Sequence, residues 1–210
     1  MPCRVLLADD HQIVRQGLRA LLEKAGHTVV GEAADGREAC ELAHKLQPNI
    51  AVLDLAMPLL NGLDAISEIR RVSPGTITIL LTMHTDRPYV LHALRAGAKG
   101  YVLKTQAADD LIRAIREVWG GAVYLSPGVA VGLVEAYLSK EEEPKDPLTA
   151  RERQILQLVA EGKTTKAIGE LLGITFKTAE SHRNRIMKKL DIHQTAGLVR
   201  YAIRRGLVRP

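Results

Sequence analysis

The chain is expected to fold as a five-stranded parallel, doubly wound α/β domain of flavodoxin-like type, strand order 2-1-3-4-5, followed by a small all-α helix-turn-helix domain. Three observations predict this. Short apolar, β-rich runs recur at 5–8, 29–33, 50–55, 77–82 and 101–104, separated by segments with helical apolar spacing. Charge is divided unevenly: residues 1–120 hold 14 Lys and Arg against 14 Asp and Glu, whereas residues 148–210 hold 13 against 5. Between them, the run from Lys140 through Glu141, Glu142, Glu143, Pro144, Lys145 and Asp146 to Pro147 is charged, proline-broken and poor in apolar residues, as a hinge would be. The expected divisions are 1–120, a linker at 121–147 containing a helix through Val131, Val134 and Leu138, and 148–210.

Bulk properties narrow the class. A chain of 210 residues with 46% hydrophobic content is long enough for two packed cores. No apolar run approaches the roughly 18 residues that span a bilayer. The N-terminus passes directly into Arg4-Val5-Leu6-Leu7-Ala8, which lacks a signal-peptide pattern, so a soluble, cytoplasmic protein without membrane contact is expected. Two cysteines, Cys3 and Cys40, make no disulfide framework, and the seven histidines lack ligand spacing.

In order along the chain, Ile13, Val14, Leu18, Leu21 and Leu22 form the apolar stripe of a first helix. Ala39, Leu42, Ala43 and Leu46 form a second, and Leu63, Ile66 and Ile69 a third. Val90 to Leu94 and Leu111, Ile112, Ile115, Val118 and Trp119 complete five β-α units, which implies right-handed crossovers and a ligand site beyond the carboxyl ends of the strands. At those ends stand Asp9 and Asp10, Asp54, Thr82 and Lys104. The expected strand order brings the three carboxylates together, and they repel unless a cation lies among them. Oxygen donors favour Mg²⁺, which also binds phosphate oxygens. Thr82 can donate a hydrogen bond and Lys104 can pair with an anionic oxygen, so Asp54 is a candidate phosphoryl-accepting nucleophile. Taken singly, Asp54 reads equally as a turn residue, Asp10 as a helix cap, Thr82 as a strand-end hydroxyl and Lys104 as a surface cation.

In the C-terminal segment, Thr149 and Glu152 form a capping-box pattern ahead of a helix carrying Ile155, Leu158 and Val159. A short helix over 165–172 and the Gly173-Ile174 turn lead to a third helix that Thr175 caps and that runs to about Leu190. Ala179, Ile186 and Leu190 face inward; Lys177, Glu180, Ser181, Arg183, Asn184, Arg185, Lys188 and Lys189 are left for solvent or a ligand. Glu180, Ser181 and Asn184 share one face, where Asn suits adenine and Glu suits cytosine N4, while the flanking cations suit phosphates. A solvated amphipathic helix explains the same polarity.

The motifs Ala8-Asp9-Asp10-His11, Asp54-Leu55-Ala56-Met57-Pro58 with Asn61-Gly62, Leu81-Thr82, and Ala96 to Tyr101 running into Lys104 resemble the receiver domain of bacterial two-component response regulators. Leu148 to Arg153, Ala160 to Lys163, Ile168 to Ile174, Lys177 to Arg183 and Ile186 to Leu190 resemble the LuxR-type DNA-binding domain, which together with the receiver is the NarL/FixJ architecture. The resemblance implies Asp54 as phosphoacceptor and a Mg²⁺ site of Asp9, Asp10, Asp54 and the Ala56 carbonyl. It makes Thr82 the switch hydroxyl and Tyr101 the aromatic that turns inward with it, although Tyr101 also reads as ordinary core. It adds Thr178 and His182 to the DNA-contacting set and gives Leu198 and Tyr201, on a fourth helix over about 195–205, as dimer contacts. The implied partners are a sensor histidine kinase, double-stranded DNA and a second copy of the chain on DNA, with no enzyme activity beyond slow self-phosphorylation and dephosphorylation. Two departures stand out: Thr105 follows Lys104 where the family commonly has a cis-proline, and Ala179 stands where valine is frequent. The competing readings are an atypical receiver that dimerises without phosphate and a flavodoxin-like enzyme, the latter opposed by Asp9-Asp10 where a glycine-rich loop would stand.

Overall fold

The computed structural model of the protein describes residues 2–85, 87–131 and 147–208. Its first domain is a parallel sheet in the order β2-β1-β3-β4-β5-β6, with the five expected strands in the expected order. These are β1 (Arg4–Ala8), β2 (Thr28–Ala33), β3 (Ile50–Asp54), β4 (Ile77–Thr82) and β5 (Gly100–Leu103). Alternation along each strand divides the core. Val5, Leu7, Ile50, Val52, Ile79, Leu81 and Val102 point to one face, under α1 (Gln12–Lys24) and α5 (Ala107–Trp119). Leu6, Ala8, Ala51, Leu53, Leu80, Tyr101 and Leu103 point to the other, under α2 (Gly36–Leu46), α3 (Gly62–Val72) and α4 (Arg87–Ala96).

A sixth, two-residue strand lies just beyond the expected boundary at residue 120. Tyr124–Leu125 form β6, parallel to β5, with Gly100 opposite Tyr124 and Tyr101 opposite Leu125. Ser126 fastens this edge: its hydroxyl accepts from Leu103 N at 3.1 Å and donates to Asp110 Oδ2 at 2.7 Å. This start of the expected linker packs on the first domain, with Val129 in its core, and the rest of the expected linker helix, with Val134 and Leu138, lies outside the described residues. Among the described residues no peptide bond is cis, Lys104–Thr105 included; Lys104 opens a short 3-10 turn to Gln106.

The loop after β3 is tightly set. Asn61 caps α3 by accepting from Asp64 N, and Gly62 N donates to the Leu55 carbonyl at 2.8 Å. A Cβ on Gly62 would lie 2.2 Å from the carbonyl oxygen of Asp54, so the strand end and the helix start meet backbone to backbone. Gly62→Ala is expected to destabilise the first domain by about 1–3 kcal/mol through overpacking, read as a lower urea midpoint. Leu59, in the same loop, adopts φ 63°, the left-handed region that disfavours a side chain.

The second domain is built from α6 (Ala150–Ala160), α7 (Thr165–Leu172), α8 (Phe176–Leu190) and α9 (Thr195–Arg204). The expected capping box forms between Thr149 and Glu152, Thr175 caps α8, and Gly173 takes φ 62° to turn between α7 and α8. Ile155, Leu158, Ile168, Ala179, Ile186, Leu198 and Ala202 close the core, and Leu59 of the first domain packs against it. Bonds between the Gln157 side chain of α6 and the loop after β3, and from the Tyr89 hydroxyl of α4 to the Arg204 carbonyl at the end of α9, hold the domains together.

Candidate functional site

Parallel β1, β3, β4 and β5 end on one rim, and their last residues converge as the sheet order requires. Lys104 Nζ lies 2.6 Å from Asp9 Oδ2 and 3.0 Å from Asp54 Oδ1, so one ammonium bridges two carboxylates. Asp9 and Asp54 are buried, at 1% and 4% exposure, and Asp10 is half-buried beside them. Two further bonds fix Asp9: the His11 amide donates to its Oδ1 at 2.8 Å, and Arg15 donates to its carbonyl at 2.6 Å. Thr82 is buried and its hydroxyl accepts from His84 N at 3.1 Å. Asp54, Ala56, Thr82 and Lys104 line one cavity of about 540 Å³.

The donor set suits a hard divalent cation. Three carboxylates against the Lys104 ammonium leave a negative cluster in a largely buried site, and oxygen donors are the kind such ions take. His11 was missed by the sequence reading as a neighbour of this cluster. Its Nδ1 lies 2.9 Å from Asp10 Oδ1, and the ligand atoms of Asp9, Asp10 and His11 lie within 4.8 Å of one another. Position alone, directly after Asp9-Asp10, was the available signal.

Tyr101 is fully buried in the core, and its hydroxyl donates to the His84 carbonyl at 2.9 Å, two residues from Thr82. An inward position is common to both readings of Tyr101.

The C-terminal domain covers this rim, which no sequence feature announced. Ile203 and Val208 line the same cavity as Asp54. Beside it, Gln157 of α6 is buried and bridges the loop after β3. Its Nε2 donates to the Met57 carbonyl at 2.8 Å, and its Oε1 accepts from Asn61 N at 2.9 Å and from Asn61 Nδ2 at 3.1 Å. Leu59 N donates to Glu161 Oε1 at 3.0 Å, and Arg153 pairs with Asp64 at 3.2 Å. Burial raises the Glu161 carboxyl above its ordinary range, against the opposing bonds from Gln157 and Leu59. On the other side of the rim, the Tyr89 hydroxyl donates to the Arg204 carbonyl at 2.8 Å.

The basic helix α8 stands clear of these contacts. Lys177, Thr178, Glu180, Asn184, Arg185 and Lys188 are exposed, and Ser181, His182 and Arg183 half-buried, with Arg183 donating to Thr195 Oγ1 at 2.7 Å. Phe176, absent from the expected set, is 55% exposed at the head of the helix. Two of the expected residues have partners within the domain. Lys189, expected on DNA, is exposed and reaches Glu152 Oε2 at 2.7 Å within the domain. Burial alone would raise the Glu152 carboxyl, but bonds from Lys189 and Thr149 outweigh it and lower it. Leu198, expected as a dimer contact, is 1% exposed in the core and has no surface to offer, whereas half-buried Tyr201 faces the cleft between the domains.

Comparison with known proteins agrees with this two-part design. Residues 5–116 match the response regulator receiver domain, and residues 146–202 match the LuxR family of bacterial regulatory proteins. The chain is 43% identical over 206 residues to the transcriptional regulatory protein MctR of Rhizobium johnstonii, covering 98% of this chain and 95% of that protein. It is 38% identical over 214 residues to the oxygen regulatory protein NreC of Staphylococcus carnosus, covering 98% and 99%. Among solved structures it is similar to the RcsB response regulator of Salmonella typhimurium, with TM-score 0.68 and 30% identity over 95% of this chain and 96% of that one. It is also similar to RcsB in an RcsB–DNA complex, with TM-score 0.61 and 30% identity over 96% and 98%. The chain belongs to the two-component response regulators that join a receiver domain to a LuxR-type helix-turn-helix domain.

Proposed function

We propose that this protein is a transcriptional regulator whose DNA binding is controlled by phosphoryl transfer to Asp54 from a sensor histidine kinase. The observation that carries the reading is the Lys104 ammonium held between Asp9 and Asp54, in a cavity that Thr82 also lines. An Asp54 oxygen forms a bond to phosphorus as the bond from phosphorus to the donor breaks. Lys104 then trades a carboxylate for a phosphoryl oxygen, and the Thr82 hydroxyl turns to donate to another. Asp9, Asp10, Asp54 and the Ala56 carbonyl would hold Mg²⁺, which supplies charge neutralisation for the phosphoryl oxygens when bound. Tyr101, bonded to the carbonyl next to the Thr82 segment, carries the change toward α4.

The acceptor's neighbours are also the C-terminal domain's footholds, so a charge change at Asp54 loosens α6 and α9 together. Release frees α9, with Tyr201, for contact with a second copy, and lets two copies of α8 address half-sites of double-stranded DNA. Glu180, Ser181 and Asn184 would then meet base edges, with Lys177, Thr178, His182, Arg183, Arg185 and Lys188 around them for phosphates. Beyond slow self-catalysed phosphorylation and dephosphorylation, no turnover is assigned to the chain. Among the described residues no helix is long and apolar enough to cross a membrane, which fits a cytoplasmic protein.

The test is incubation with a small phosphodonor and Mg²⁺: one acid-labile phosphoryl group per chain is expected, with tighter DNA binding after it. DNA binding that never depends on the donor would favour the phosphate-independent receiver. For the interface, Lys188→Ala is expected to weaken binding similarly on all sequences and reduce the slope of log K against log salt by about 1. An unchanged slope would remove Lys188 from the phosphate contacts.

A further inference from the structure

Among the described residues of the C-terminal domain, Phe176 is the one large apolar side chain left exposed, with 55% of its surface in solvent. It is also the only phenylalanine in the chain. A single exposed apolar residue is ordinary on a protein surface, so its surroundings decide what it is for. Those surroundings are strongly basic. The helix α8 carries five cations, Lys177, Arg183, Arg185, Lys188 and Lys189, against one anion, Glu180. Of these, Lys177, Arg185 and Lys188 are exposed together with Phe176.

The backbone fixes where the ring stands. Thr175 accepts from Thr178 N and so starts α8 at Phe176, its first helical residue. Behind this start α7 lies close: a Cβ on Gly169 would come 2.9 Å from the Ile174 carbonyl oxygen and 3.6 Å from Phe176 N. The backbone at Phe176 is thus held against α7, and the ring is left on the open side. Glu180 follows four residues later, on the same flank of the helix and about 6 Å further along its axis.

A recognition helix meets base edges with its N-terminal residues. Glu180, Ser181 and Asn184 can exchange hydrogen bonds with those edges, whereas a phenyl ring cannot. The major groove presents one apolar group that suits it, the C5 methyl of thymine. An apolar surface of another protein would match the ring but not the lysine and arginine side chains that stand around it.

We infer that Phe176 packs on the C5 methyl of a thymine and so selects that base in each half-site, within about two base-pair steps of 3.4 Å from the base that Glu180 meets. The inference rests on the reading that α8 enters the major groove. Burial of one methyl group is worth about fourfold in affinity, so this contact sets preference at one position while the cations supply most of the binding.

The experiment uses the full chain, with a small phosphodonor and Mg²⁺, to enrich bound sequences from a random duplex pool. The enriched duplex is then remade with each thymine replaced singly by deoxyuridine, which removes the methyl group and keeps the base pair. One replacement per half-site is expected to weaken binding about fourfold. Phe176→Ala should bind the unmodified duplex at least about fourfold more weakly and lose all sensitivity to that replacement, and Phe176→Leu should keep most of it. Neither variant should change the slope of log K against log salt, because no phosphate contact is removed. If no deoxyuridine matters to the unaltered chain, if Phe176→Ala keeps the same sensitivity, or if it weakens every duplex equally, the ring reads no methyl group and the proposal is overturned with the DNA reading intact. A changed oligomeric state with unchanged DNA binding would also overturn it, assigning the ring to a second copy. Enrichment of no sequence by the unaltered chain would remove the DNA reading itself and this inference with it.

Discussion

Asp54→Asn is expected to bring phosphoryl incorporation from a small phosphodonor down to background while leaving the fold intact. The substitution keeps the shape of the side chain and an oxygen for Lys104, which also retains its 2.6 Å contact with Asp9. What it removes is the anionic oxygen that attacks phosphorus, and a neutral amide has no comparable nucleophilicity. One charge fewer among crowded carboxylates relieves repulsion, so thermal stability should be kept or slightly raised. The check is acid-labile labelling alongside the melting temperature. Persistent labelling would move the acceptor to another carboxylate, with half-buried Asp10 the first to examine. The variant should also bind DNA identically with and without the donor.

Gln157→Leu is expected to open the closed arrangement. The Gln157 amide satisfies the Met57 carbonyl and the Asn61 N–H across the domain boundary, and all three residues are buried. Leucine fills similar volume but leaves both backbone groups without partners whenever the domains are together. Each such group costs about 1–3 kcal/mol, so the closed arrangement should lose about 2–6 kcal/mol, or roughly 30- to 20,000-fold in population ratio. The C-terminal domain itself keeps Ile155, Leu156 and Leu158 in its core and should fold normally. Three readouts should move together: a larger radius of gyration, tighter DNA binding by the unphosphorylated chain, and faster phosphorylation as Ile203 and Val208 leave the Asp54 cavity. If size, affinity and rate are all unchanged, Gln157 does not hold the domains together in solution.

The sheet and the convergence at its rim were legible because they follow from periodicity and strand order, which are properties of continuous segments. Val5 and Leu7 separate from Leu6 and Ala8 by alternation alone, and the order 2-1-3 brings Asp9 beside Asp54. The two-residue β6 was not legible, since Tyr124–Leu125 is too short to show a period. Helical spacing marks which residues of α9 are apolar but not which surface covers them, so Leu198 was taken for an interface residue when its partners lie inside the domain. The Lys189 ion pair was not legible for a related reason: its partner Glu152 is 37 residues away and already looked committed to the capping box. Gln157 had no signal at all. A polar residue on an amphipathic helix reads as solvated, and only the docking of a second domain buries it.

Leu59 has a consequence for how the two arrangements interconvert. Its backbone sits in the left-handed region, about 1–2 kcal/mol above the ordinary basins, while its amide is held by Glu161 and its side chain by the C-terminal core. Those two restraints belong to the other domain, while the bond from Leu60 N to the Pro58 carbonyl at 2.7 Å, which closes the turn around Leu59, belongs to the receiver. The turn five residues past the phosphoacceptor is therefore shared: its backbone is closed by the receiver, and its amide and side chain are satisfied by the C-terminal domain. Any cost of that left-handed residue is charged to the closed arrangement, where the bond to Glu161 and the packing of Leu59 on the C-terminal core offset it.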